Sequence, residues 1–443
     1  MSNRRWLFWH RKDLRLNDNK ALSKVFDRTS EITGIYIIDL KIIEPRHDNN
    51  IFSSSKKWFL SRTLLELKKS WADAGSRLLI FGGDPLIIIP KVFTIIEAAG
   101  IGWNNNIEPY ERERDESLLS KLKLSKTHII REWDQLLIDP EKLRTKTESH
   151  YKVYTPFFRN WKKKLEWELE YNEENINLLK TYTKVNNLFD INIKKHNKLF
   201  ELEKEICKEL KVNESFEYLY KHHGFTGVEN CPCKPGEKAA KIALENFILR
   251  KHINNYNKGR DIPSNNSTSF LSASLNFGTI SCREVWNRSQ EEKLFNKEGE
   301  EQLSILSWQK ELCWREFYQN ILFNFPELSN GPYRKKWESF PWINNLKWFD
   351  CWTRGLTGFP IIDASMRQLN STGWMHNRCR MIVASFLVKD LICNWQLGEK
   401  YFMSKLVDGD LASNNGGWQW SASSGMDTKP LRIFNPSRQA SKF

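Results

Sequence analysis

Five side chains between positions 308 and 318 have types and spacings that suit a binding pocket. Trp308, Glu311, Trp314, Arg315 and Tyr318 recur at intervals of three and four, which sets them along neighbouring faces of one helix. Burying a carboxylate and a guanidinium in such an aromatic stripe is costly unless each finds a partner. In a pocket the rings can stack on a flat ligand while Glu311 and Arg315 hydrogen-bond to it. Downstream, Asn377, Arg380 and Met381 fall on one face of another helix, with Trp374 a turn earlier. The planar fork of arginine suits a phosphate or carboxylate, although a helix end with solvated arginines is the plainer reading. The stretch Asp408-Gly-Asp410-Leu-Ala-Ser-Asn414-Asn-Gly-Gly-Trp418-Gln-Trp420 reads as the least helical of the set. Glycines and short polar side chains there would let the backbone approach a ligand. It lacks the spacing and the closing Glu of a calcium loop. Finally, Thr268-Ser269-Phe270-Leu271-Ser272, after Tyr256, Arg260 and Asp261, offers hydroxyls and amides that suit a phosphate.

His222, His223, Cys231 and Cys233 could be taken for a zinc cluster. One residue separates the two cysteines, whereas a zinc knuckle spaces them by two to four. Cys231-Pro-Cys-Lys-Pro-Gly236 reads as a turn, and no metal site is expected.

These groups sit in a chain of 443 residues with 68 Lys+Arg against 54 Asp+Glu, a formal net charge of +14 that points to a polyanionic partner. The 19 tryptophans are several-fold above ordinary usage, which suits base stacking, cofactor stacking, electron transfer or a large aromatic core. The best apolar stretch, 86–101, is broken by Pro90, Lys91 and Glu97, so no membrane span is expected. The apolar run at 6–9 is too short for a signal peptide. Eight scattered cysteines fit reduced thiols. A cytoplasmic monomer is the expectation.

The elements that must carry these residues follow from periodicity. Short apolar runs at Arg5–His10, Ile32–Ile38, Arg77–Phe81, Ile101–Asn104 and His128–Trp133 read as strands. Helical patterns at 19–27, 54–74 and 85–99 alternate with them, with Asp18 and Ser54 as N-caps and Gly75 and Gly100 as stops. Such alternation predicts a five-stranded parallel, Rossmann-like sheet over 1–135, without a GxGxxG fingerprint. Residues 136–235 read as an interdomain connector with some helices. Residues 236–443 read as an all-helical domain, with helices over 237–256, 300–323, 358–369 and 376–395.

Taken in order, the motifs resemble those of the photolyase/cryptochrome family, most closely class I cyclobutane pyrimidine dimer photolyases. Phe8-Trp-His-Arg-Lys-Asp13-Leu-Arg15-Leu-Asn-Asp18-Asn19 is similar to the family's N-terminal signature. Arg260-Asp-Ile-Pro263, Thr268–Ser272 and Phe277-Gly-Thr-Ile-Ser281 are similar to its flavin phosphate loop. Glu311–Tyr318, Gly358–Leu369, Trp374–Met381 and Asp408–Trp420 complete the series. The resemblance implies an α/β antenna domain followed by a helical FAD-binding domain. By position, the flavin contacts fall on Tyr256, Thr268, Ser269, Phe270, Leu271, Ser272, Trp308, Arg315, Asn377, Arg380, Asp408, Asp410 and Asn414, the last facing the flavin N5. Phe270 stands where many members have a basic residue.

The resemblance also implies light-driven repair of pyrimidine dimers in ultraviolet-damaged DNA, by electron transfer from photoexcited reduced FAD to a flipped-out dimer. Photolyases are among the enzymes that act on extrahelical nucleotides. The implied catalytic residues are Glu311, Trp314, Met381 and Asn414. Trp314 and Trp420 would stack on the dimer. DNA contacts fall on Arg260, Glu311, Trp314, Arg315, Asn377, Arg378, Trp420 and Gln439, and the electron relay on Trp342, Trp395 and Trp418. A second chromophore is implied: Glu108-Pro-Tyr-Glu111 resembles a methenyltetrahydrofolate contact, and the wider N-terminal domain equally resembles 8-hydroxy-5-deazaflavin binders. Two competing readings are a cryptochrome-type photoreceptor and a non-catalytic tryptophan-rich nucleic-acid binder. A (6-4) photolyase is expected to carry a His-rich motif where this chain has Met375-His376-Asn377-Arg378.

Overall fold

The computed structural model describes residues 5–43, 52–123, 127–171, 228, 230–296, 299–426 and 432–443. The N-terminal part is built on strands β1 (Trp6–His10), β2 (Ile32–Ile38), β3 (Leu78–Gly82), β4 (Gly100–Asn104) and β5 (His128–Glu132). All neighbours pair in parallel, in the order β3-β2-β1-β4-β5. β1, the central strand, is apolar and buried throughout, whereas β5 at the edge is partly exposed. Alternate residues of β1 point to opposite faces. Trp6 and Phe8 enter one core with Leu22, Phe59 and Trp71, while Leu7 and Trp9 enter the other with Ile88, Val92 and Leu118.

Local chemistry explains the helix starts. The Asn19 side chain accepts from the Leu22 amide, Ser53 from Lys56 and Asp84 from Leu86, each satisfying a donor left orphaned at a helix N-terminus. The first two caps lie one residue away from the expected positions. Gly100 opens β4 and does not end a helix. Helices Pro109–Lys123 and Tyr154–Tyr171 were not legible as such. The first buries only Leu118 and Leu122 among its aliphatic residues, so its period is faint. His222 and His223, half of the suspected metal cluster, lie outside the described residues. Among the described residues no group of three or more His, Cys, Asp or Glu could hold a metal, and no helix is long and apolar enough to cross a membrane.

From 237 onward the described elements are helices. The expected 237–256 helix is interrupted after Leu249, where Lys251 takes a positive φ of 58°. The expected 376–395 helix runs over Asn377–Ser385, winds through a π-turn at Phe386–Asp390 and restarts as Trp395–Lys405. The helical part packs on one face of the sheet, with Ala273, Phe277, Trp374 and Val407 entering the core of Phe8 and Phe59.

A buried ionic node joins the two parts. The Asp134 carboxylate, just beyond β5, receives Arg15 at 2.5 Å and Arg283 at 2.6 Å. It also receives the Lys20 amide at 3.1 Å. Arg283 bridges on to Asp18 at 3.0 Å, and Arg15 donates to the Gly278 carbonyl at 3.0 Å. Gly278 has φ 65°, and a Cβ there would stand 2.0 Å from the Lys12 carbonyl oxygen. Burial alone would raise the Asp134 pKa, but Arg15 and Arg283 outweigh it and hold the group far below the usual carboxylate range.

Replacing Asp134 by Asn leaves two buried guanidiniums underpaired, and is expected to cost about 3–5 kcal/mol in urea unfolding. Because the folded pKa is depressed, this contribution is complete above about pH 4 and shrinks as the pH falls below it. The gap between wild type and Asp134→Asn should therefore be flat from neutral pH to about 5 and close in more acid solution.

Candidate functional site

Helix Glu300–Asn324 supplies the first wall. Its inner face buries Trp308, Leu312 and Glu316, while Glu311, Trp314 and Arg315 are half-buried. Glu316 is clamped by the Leu137 amide, by the Trp161 indole N–H at 2.7 Å and by the Ile138 amide at 3.5 Å. Burial pushes its pKa up to about 7 against those bonds. The helix is thereby tied to the chain just past the Asp134 node, where Arg315 also donates to the Gln135 carbonyl at 2.8 Å. A second Arg315 N–H reaches the Leu275 carbonyl at 3.2 Å, so this guanidinium turns inward.

Glu311 meets Arg260 at 2.7 Å, and the guanidinium lies 5.1 Å over the Tyr256 ring. Burial raises the Glu311 pKa, with Arg260 opposing. Asp261 beside this pair receives Arg378. Arg378 stands in the first turn of helix Asn377–Ser385, which His376 caps by accepting from the Arg378 amide at 3.2 Å. Burial, with Arg380 next in effect, pushes the His376 pKa down to about 4, which keeps the ring neutral. On the same helix Asn377 is exposed and Met381 half-buried. Arg380 donates to the Met375 carbonyl at 2.8 Å and to Asp408 at 2.8 Å.

The stretch read as a loop is largely helix. Asp410 N-caps helix Leu411–Ser421, accepting from the Ser413 amide at 2.9 Å and from its hydroxyl at 2.5 Å. Its two glycines suppress the helical signal. One of them is there for contact: a Cβ on Gly416 would meet the Tyr318 ring at 2.1 Å. Asn414 donates to the Glu399 carbonyl at 3.1 Å, and Asn415 to the Glu399 carboxyl at 2.8 Å. Neither contact was foreseen, because Glu399 lies on a different helix, Trp395–Lys405.

At Thr268–Ser272, Phe270 takes φ 53° and its ring lies 5.0 Å from Trp374. The Thr268 hydroxyl is buried without a hydrogen-bond partner. Trp418 and Trp395 are buried in one core, and Trp342 packs half-exposed against it. Trp420 lies 6.3 Å from Phe434. Gln439 stands on helix Pro436–Lys442, which packs on helix Pro360–Thr372, and its carbonyl accepts from the Phe443 amide, whose ring lies 4.6 Å from the Arg378 guanidinium.

A separate cleft opens at the carboxyl ends of β1, β2 and β4. It is lined by Lys12, Tyr36, Lys56, Glu108 and Glu111, with Gly409 from the helical part. Lys12 pairs with Glu108 and lies 3.6 Å from Glu111. The Glu111 Oε2 that faces Lys12 and the Trp9 indole N–H make no hydrogen bond. Burial pushes the Lys56 pKa down to about 8.

Comparison with known proteins bears directly on this arrangement. The family profile described as DNA photolyase matches residues 6–175, and that described as the FAD binding domain of DNA photolyase matches residues 308–443. The deoxyribodipyrimidine photo-lyase of Synechococcus is 42% identical over 437 residues, 99% of this chain and 85% of the relative. The crystal structure of a bacterial class III photolyase from Agrobacterium tumefaciens superposes with TM-score 0.83 at 32% identity, covering 100% of this chain and 85% of that one. An archaeal photolyase from Sulfolobus tokodaii, solved with two FAD molecules, gives TM-score 0.74 at 30% identity, with 99% and 87% covered.

Burial raises the Glu399 pKa from 4.5 to about 7, although the Asn415 bond lowers it. The folded state thus holds this proton more tightly than the unfolded chain, and stability declines as pH rises from about 4.5 to about 7. Glu399→Gln, which cannot ionise, should remove on the order of 3 kcal/mol of that slope. Thermal unfolding across this pH range reads the difference.

Proposed function

Because this chain belongs to the DNA photolyase family and carries its FAD-binding domain, we propose that it repairs cyclobutane pyrimidine dimers in DNA with light. The observation that carries this reading is half-buried Glu311, paired with Arg260 and one turn from Trp314 on the same helix. A carboxyl group whose pKa is raised by burial, next to a flat ring, suits the carbonyl edge of a stacked base pair lesion. Charge that develops on such a carbonyl is stabilised by groups already oriented toward it. A photoreceptor reading leaves this pair without a task.

The residues present fit FAD. Thr268 supplies an unpartnered hydroxyl, and Phe270 takes a left-handed backbone conformation between Ser269 and Leu271, beside Ser272. Successive amides in such a turn conformation favour phosphate. Tyr256, Trp308 and Leu271 supply buried apolar surface. The Arg380–Asp408 pair and the Asn414 amide supply polar groups for a ring edge, and to these we add Asn377, Asp410 and Arg315 as flavin contacts. Bound FAD supplies the light-absorbing electron donor. Trp418 and Trp395 in the interior and Trp342 toward the surface suit a relay that delivers electrons inward.

On the DNA side we assign the backbone to Arg260, Arg378 and Gln439, and stacking to Trp314 and Trp420. Asn377 and Met381 complete the dimer pocket. The +14 charge suits salt-dependent, sequence-independent phosphate binding. We place a second chromophore, a folate or a deazaflavin, in the cleft by Lys56, where one Glu111 oxygen and the Trp9 indole N–H make no hydrogen bond.

The test is recovery of thymine absorbance from a thymine-dimer oligonucleotide under blue light, with a dark control. Light-dependent recovery is expected; flavin binding without recovery would refute the proposal. Glu311→Ala should lower repair per absorbed photon roughly 10²-fold, the scale of losing one oriented stabilising group. Trp314→Ala should weaken dimer binding by about 1–3 kcal/mol, the worth of one stacked base. Thr268→Val should leave the fold intact and weaken FAD retention by about 1 kcal/mol, read by equilibrium dialysis.

A further inference from the structure

Trp314 is not a free-standing ring. The Tyr154 ring lies against it with centroids 3.5 Å apart and planes within 2° of parallel. Isolated aromatic pairs prefer offset or edge-on contacts to such a sandwich, so the surrounding structure holds the two together. Those restraints are visible. The Tyr154 hydroxyl donates to the Lys310 carbonyl at 3.2 Å, one helical turn before Trp314. Phe317 meets the Tyr154 ring edge-on at 5.7 Å. Tyr154 opens helix Tyr154–Tyr171, which is pinned further along by Phe157 against Phe317 at 5.2 Å and by the Trp161–Glu316 bond.

We infer that Tyr154 is a positioning residue that covers one face of Trp314 and fixes the indole as a one-sided platform for the damaged base. The inference rests on the reading of Trp314 as a stacking residue for the substrate. With one face occupied, a flat ligand can stack only on the other, at an angle set before it arrives. An unsupported indole would have to be immobilised on binding, at a cost in affinity. Tyr154 also separates two tasks on one helix. Glu311 is held by Arg260, whereas Trp314 is held by a ring from the connector.

The experiment compares holoenzyme of wild type, Tyr154→Leu, Tyr154→Met and Tyr154→Phe. Each is titrated with matched oligonucleotides with and without a thymine dimer, and repair is followed at saturating substrate. If the inference holds, Leu and Met lose about tenfold in affinity for the dimer, keep their affinity for undamaged DNA and their flavin content, and repair bound dimer at near wild-type rate. Phe, which keeps the plane, behaves as wild type. Unchanged preference for the dimer in Leu or Met overturns it, and so does a gain, which would place Tyr154 on the substrate's own face. Loss in Phe would assign the role to the hydroxyl and overturn the stacking argument. If Leu does not fold, Met and Phe apply the same criteria. A wild type that shows no preference for the dimer would instead refute the proposed function, so the two failures are distinct.

Discussion

The ion cluster around Asp134 is the constraint on which the rest depends. One buried carboxylate takes a guanidinium from the loop after β1 and another from helix Cys282–Phe295. Two buried cations and one anion would be a poor stabiliser without full pairing. Here Asp18 and the Gly278 carbonyl take further guanidinium donors, so the cluster acts as a locating pin. Its position matters because residues 135–138 continue directly into the groups that hold Arg315 and Glu316. The sheet's placement is thereby transmitted to the helix that carries Glu311 and Trp314.

The candidate site is assembled on the same logic. Each charged group in it has a fixed partner: Arg260 with Glu311, Arg378 with Asp261, Arg380 with Asp408. Glu316 and Glu399 are instead raised toward neutral pH by burial, which outweighs the nearby Arg315 and Lys400, and they accept from N–H donors. Both serve as struts, one under Arg315 and one under Asn414 and Asn415. A pocket built this way presents preset polar edges and rigid rings, which is what a cofactor that must be oriented within a fraction of an ångström requires.

The lateral cleft is a different environment within reach of the same scaffold. It gathers Lys12, Lys56, Glu108 and Glu111 where the strands end, the place at which open parallel sheets bind ligands. Gly409 lines it from between Asp408 and Asp410. The short segment 408–410 therefore borders both the cleft and the flavin-domain site, which sets the two close together.

Much of this was legible in the residues themselves. The short, continuously apolar run of β1 marks a strand buried on both faces, and the alternation of such runs with helical patterns over 1–135 predicted the parallel sheet. The three-and-four spacing of Trp308, Glu311, Trp314 and Arg315 placed them on one helix, because helical periodicity is local and survives in a single sequence. The stretch at 408–420 misled, since two adjacent glycines erase helix propensity that the Asp410 cap and the Tyr318 contact restore. Partners distant along the chain were not legible at all. Arg260 with Glu311, Glu399 beneath Asn414, Tyr154 on Trp314 and Asp134 between two arginines are each choices made by packing, among many residues of suitable type. The sequence by itself determined which side chains face the same way along each element. Tertiary structure alone decided which faces meet, because burial energy rewards any well-matched contact and only the closed fold selects among them.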